Sequence, residues 1–250
     1  MLSTAMLQKP GFQIFDVHGI QSSYTPYNMF GKYPGSASLP LQCSDNLGGA
    51  FLILLDLGFK KQHVQPFLDL ADFSMTLAAY HYGTLTNPNI SEIASNRNVV
   101  HHQLLSLPKM SDLDEAMEIE EENLKLYEAC RLTALLFAVM VTFPIPRSNQ
   151  VRETLLRNLK DTVISMEFPE DTTIIGVQLW CLVLGGIASL GKPELPWYVE
   201  QTRVIATILG LREWSQVEGK LSTFAWLKAA CRPGAVGFWS LVKDHKADAT

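Results

Sequence analysis

The sequence is poor in the features that usually announce a chemistry. Its 250 residues hold four cysteines, Cys43, Cys130, Cys181 and Cys231, with no CxxC and no short spacing. That argues against a disulfide framework and against a zinc site built from cysteine pairs. Three of the four lie in apolar helical stretches, where free thiols of a reducing compartment are commonly buried. Positive charge is scarce as well. Twenty Lys and Arg against 25 Asp and Glu leave a formal net charge of −5, the wrong sign for broad, non-specific contact with nucleic-acid phosphates. The chain has no HExxH, no GxGxxG or P-loop glycines, no GxSxG elbow, no Ser-Lys motif and no placed Cys-His pair. No segment alternates apolar and polar residues between paired turn signals, so no sheet is expected. Internal repeats and multi-heptad coiled coils are missing too. The first residues, MLSTAMLQKPGF, lack a basic region followed by a long apolar core, so no signal peptide is expected.

What the sequence does have is apolar mass. Hydrophobic residues make up 47% and charged residues 18%, enough for a sizeable core and too apolar for wholesale disorder. The longest nearly uncharged run is IIGVQLWCLVLGGIASL, residues 174–190. A helix that is apolar all round must be buried, in a protein core or in a membrane. A membrane span needs ~20 predominantly apolar residues. This run is shorter, is interrupted by Gln178, and has no Lys or Arg cluster at either end. It predicts the central buried helix of an all-α domain, with no membrane partner. Gly185 and Gly186 weaken helix propensity by about 1 kcal/mol each, and their expected use is to let a neighbouring helix approach closely.

Three regions follow from the pattern. Residues 1–46 carry Gly, Pro, Ser and Tyr without periodicity and read as an irregular segment, with turns at 24–27 and 33–36. Residues 47–243 read as one all-helical domain, and 244–250 as a polar tail. The expected helices cover 47–57, 64–82, 89–107, 111–143, 150–166, 174–190, 197–209 and 214–231, with a short ending at 238–242, about nine in all. Gly58, Gly83, Pro108 and the pair Pro144 and Pro146 supply the stops.

Two residues break an otherwise apolar seam. Arg97 stands among Ile90, Ile93, Val100, Leu104 and Leu107, and Arg131 among Leu124, Tyr127, Ala134, Ala138 and Val141. A buried charge without a partner is very costly. The two arginines either line a pocket for an anionic small-molecule effector or pair structurally with acids such as Glu128 or Asp171, the commoner use of a buried guanidinium. His101 and His102 point about 100° apart on a helix and cannot share a metal. Asp69 and Asp72 form half of an aspartate-rich magnesium motif of the kind helical terpene synthases use. The second carboxylate cluster is missing, so the pair reads as a solvated face. Glu120, Glu121 and Glu122 read as exposed helix surface. No catalytic, cofactor-binding or metal-binding constellation emerges.

Four segments taken together resemble a known family. HHQLLSLP at 101–108, LYEACRLTALLFAVMVTFPIP at 126–146, WCLVLGGIASL at 180–190 and LSTFAWLKAACRPGAVGFW at 221–239 are similar to the fungal-specific transcription factor domain. This is the all-helical regulatory region that usually lies downstream of a binuclear zinc-cluster DNA-binding domain. The resemblance implies a non-enzymatic regulator in the nucleus that works through other transcription regulators or a second copy of itself. It also implies control of a metabolic gene cluster, a class that includes those of secondary metabolism. The chain departs from the family in two respects: the six-cysteine zinc cluster and its basic residues are not in it, so direct DNA binding is not expected, and Lys228 and Arg232-Pro233 stand in the last segment where the family has more acidic or small residues. The rival readings are a terpene cyclase-like helical enzyme of such a pathway, and an inactive truncated regulator.

Overall fold

The computed structural model describes residues 48–244, apart from 86, 114–117, 147–148, 168 and 170. The expectations for residues 1–46 and for nearly all of the polar tail lie outside the described residues. A 3-10 turn, Gly49–Leu52, leads into α1 (Ile53–Asp56). Then come α2 (Lys61–His81), α3 (Ile90–Leu105), a 3-10 turn at Met110–Asp112, α4 (Glu121–Phe137), α5 (Gln150–Ile164), α6 (Thr172–Ser189), α7 (Leu195–Ile208), α8 (Trp214–Leu221) and α9 (Lys228–Asp244). The domain is all-α: nine α-helices and no strand occur among the described residues.

Everything is arranged around α6. Its start is set by Asp171, whose carboxylate accepts the backbone N–H groups of Thr173 (2.6 Å) and Ile174 (3.3 Å), two of the donors a helix N-terminus leaves unpaired. From Ile175 to Ser189 every residue is buried. The helix has the length and composition of a membrane span, yet 83% of that window is buried inside the protein, because α4, α5, α7 and α9 pack around it. At its middle, Trp180 meets Phe51 edge-on (ring centroids 5.1 Å apart) and stacks with Phe224 (5.7 Å). Its indole N–H donates to the Ala225 carbonyl at 3.0 Å. Buried area, ring contact and a satisfied donor therefore coincide in one side chain.

The glycine pair does admit close neighbours, but these are rings and not helix backbones. A Cβ at Gly185 would collide with the ring of Tyr198 from α7, and one at Gly186 with the ring of Phe238 from α9. The Tyr198 hydroxyl continues past α6 and donates to the Leu156 carbonyl of α5 at 3.1 Å. One notch thus seats a residue that ties three helices together.

Two expected helices are broken. The stretch 111–143 is not one helix: α4 begins only at Glu121. The chain before it folds back on α4, where the Tyr127 hydroxyl donates to Pro108 O (3.1 Å) and Glu128 accepts the Met110 N–H (3.1 Å). A continuous helix would carry those groups away from each other. At the other end α4 widens into a π-turn, Ala138–Thr142, closed by the i→i+5 bond from Phe143 N to Ala138 O (2.7 Å). Pro144 follows and cannot donate to extend the ladder. The stretch 214–231 is broken too, between α8 and α9. Its carbonyls turn to distant partners: Thr223 O accepts from Ala50 N (3.4 Å) and Ala225 O from Trp180.

Candidate functional site

The two seam arginines sit in different settings. Arg97 is buried on α3. Its guanidinium donates twice to Asn98 Oδ1 (3.3 and 3.2 Å) and lies 4.9 Å from the centroid of the Phe143 ring, a cation–π contact. One turn further along, His101 Nε2 is hydrogen-bonded to Thr142 Oγ1 at 2.6 Å. Thr142 closes the π-turn, so α3 is clasped to the irregular end of α4 by a polar pair and a ring. Burial, and then the nearby Arg97 charge, push the His101 imidazole down to about 4, so it is neutral at pH 7.

Arg131 lies on α4, also buried. It makes a two-pronged pair with Glu128: Nε to Oε2 at 2.8 Å and a terminal nitrogen to Oε1 at 2.6 Å. The hydrogen bonds it donates to Glu128 hold the guanidinium above its ordinary value. Since Glu128 also accepts the Met110 N–H, this arginine belongs to the clamp that folds the preceding segment onto α4. The described partners of Arg97 and Arg131 do not overlap.

The other candidates are engaged locally. Asp69 accepts from Gln65 at 2.9 Å. Asp72, one turn on, has its carboxyl raised by burial and by Asp69. Among the described residues no group of three or more His, Cys, Asp or Glu side chains converges to hold a metal ion. His102 is exposed on α3. Glu122 accepts from Lys125 (2.6 Å) and from the backbone N–H of Glu167 (2.7 Å), so part of the acidic run stitches α4 to the segment after α5. Cys130, Cys181 and Cys231 are buried and free. Cys130 and Cys181 face each other across α4 and α6, and that contact, with burial, raises the Cys130 thiol. Burial pushes the Cys231 thiol up to about 12, and groups so placed stay thiols at neutral pH. Cys43 lies outside the described residues.

One cluster escapes motif reasoning. Trp214 of α8 is 6.1 Å from Trp226, in the turn, and 6.5 Å from Trp239 of α9, centroid to centroid. All three indole N–H groups are buried and meet no acceptor among the described residues, and the same holds for donors to Glu218 Oε1. Glu218 stands one turn after Trp214 and is flanked by Lys228 Nζ (3.3 Å) and Arg232 Nε (3.9 Å). No recognised spacing links these residues. The available signal was composition: three of the chain's five tryptophans fall within residues 214–239.

No protein-family profile, curated protein or solved structure matches the chain.

Proposed function

We propose that the chain is a helical regulatory module of transcription, similar to the effector region of fungal zinc-cluster regulators, and that it acts by protein contact rather than by turnover. The observation that supports this reading is the mutual contact of the four segments that carry the resemblance. His101 of the first is bonded to Thr142 of the second (2.6 Å). Cys130 of the second faces Cys181 of the third. Trp180 of the third donates to Ala225 of the fourth (3.0 Å), and Gly186 of the third seats Phe238 of the fourth. Mutual contact of this kind is what a single core carrying the resemblance would require. In this reading the partners are other regulators or a second copy, the site of action is the nucleus, and the genes controlled are metabolic.

The test is a tethering experiment. The full chain, fused to a heterologous DNA-binding domain in a fungal host, changes transcription of a reporter carrying that domain's sites. Gly186→Leu, which opens the third and fourth segments, abolishes the change. A reporter indifferent to the fusion, with the chain itself excluded from nuclei, overturns the reading.

A further inference from the structure

The corner between α8 and α9 has more hydrogen-bond donors than it uses. Buried indole N–H groups normally find an acceptor, and leaving one unmade is costly. Here three are left unmade among the described residues, on Trp214, Trp226 and Trp239, while a single unpaired acceptor, Glu218 Oε1, stands in the same corner. Two of these residues, Trp226 and Trp239, are only 6% and 5% exposed. The contrast with Trp180, whose indole is as buried but donates to Ala225, shows that this fold can satisfy an indole where it needs to.

The charges beside the indoles are unbalanced in the same sense. Lys228 and Arg232 face the single carboxylate Glu218, so two cations against one anion leave +1. Both cations are half exposed, at 50% and 51%, while Glu218 is 12% exposed. The cations therefore lie nearer solvent than the indole N–H groups. Longer side chains also link α8 and α9: Trp214 lies on Trp239, and Lys243 reaches Glu213 (3.4 Å).

We propose that this corner is a binding site for a small, flat, apolar carboxylate of the aromatic-acid type. The ring lies against the indole faces, where aromatic contact is favourable. The carboxylate accepts the indole N–H groups and offsets the surplus charge of Lys228 and Arg232. The site is separate from the α3–α4 arginines and does not depend on the transcriptional reading.

The full chain is titrated with naphthalene-2-carboxylate, and with naphthalene-2-carboxamide as the uncharged control. The indole N–H resonances are followed by proton–nitrogen correlation NMR and assigned by their loss in Trp→Phe variants. The carboxylate moves the Trp214, Trp226 and Trp239 signals along one saturable curve and leaves Trp180 and Trp197 in place. Trp239→Phe, which keeps a ring and deletes the donor, weakens binding about tenfold, as expected for a hydrogen bond to a charged group. Trp226→Phe does the same and stands in if the first variant is misfolded by circular dichroism. Lys228→Met weakens binding and flattens its salt dependence. The proposal is overturned if binding is weaker than about 1 mM, or if the carboxamide binds as well as the acid. It is also overturned if both Trp→Phe variants bind like the parent chain, or if the three indole protons report only exchange with water.

Discussion

Trp180 and the trio Trp214, Trp226 and Trp239 are the same side chain placed in two kinds of surroundings. All four indole nitrogens are buried. At the centre, Trp180 is wedged between Phe51 and Phe224 and its N–H has a carbonyl at 3.0 Å. In the C-terminal corner the rings pack at 6.1 and 6.5 Å and their N–H groups have no acceptor among the described residues. The corner is also nearer the surface, since Trp214 is only partly buried while Trp180 is fully so, but the sharper difference lies in the donors and acceptors. At the centre the indole N–H finds a carbonyl of the chain, whereas in the corner three indole N–H groups and Glu218 Oε1 are left without partners among the described residues.

Four measurements can break or sharpen this contrast. The largest effect belongs to the centre. Trp180→Ala removes the pin of α6 and is expected to cost about 3–5 kcal/mol in urea unfolding; a loss under about 1 kcal/mol would mean that α6 is not the organising element. The second effect belongs to the α3–α4 clasp, since α6 itself carries no histidine or carboxylate. Above about pH 6.5 His101 is neutral in the folded and the unfolded chain. Between 6.5 and about 4 the unfolded chain binds a proton that the folded chain refuses. Stability therefore falls as the pH falls across that window, by about 3 kcal/mol, and levels off below it. His101→Gln flattens this slope, and a parent-like slope in the variant would assign the proton to another group.

Third, Trp180→Phe orphans the Ala225 carbonyl, while Trp239→Phe deletes a donor that satisfies nothing. The first should cost about 1–3 kcal/mol more than the second. Equal costs, measured by paired thermal melts, would erase the distinction between the two regions. The smallest effect is at the periphery. Asn89 caps α3 through Ser91 N (3.1 Å) and Glu92 N (3.3 Å), and Asn89→Ala should cost about 1 kcal/mol. Amide exchange should rise in the first turn of α3 and not in α6.

Much of the fold was legible in the residues. The uncharged run 174–190, its charged and prolyl boundaries and its two glycines carry the central helix in plain view. The start of α4 at Glu121 and the break at 222–227 were not legible, and the second is instructive. Val217, Leu221, Phe224, Leu227 and Cys231 have helical spacing, and all five are buried, yet the helix stops between them. Periodicity records which side chains face the core. It cannot record that Thr223 O and Ala225 O abandon the helical ladder for Ala50 and Trp180, because those partners lie far away in sequence. The setting of Arg131 was legible in outline, since Glu128 lies three residues before it on the same helix face. That of Arg97 was not, because Phe143 and Thr142 reach α3 only through the π-turn. The tryptophan corner was invisible for a related reason: an unmade hydrogen bond leaves no mark on spacing.

Phe238 in the notch at Gly186 has one more consequence. A ridge of methyl and isobutyl groups lets two helices slip by a turn and find new neighbours of similar shape. A benzene ring fitted over a bare α-carbon has only one seat, so α9 cannot shift along α6 without lifting the ring onto side chains. Positions 186 and 238 must therefore change together: atoms gained at one have to be given up at the other.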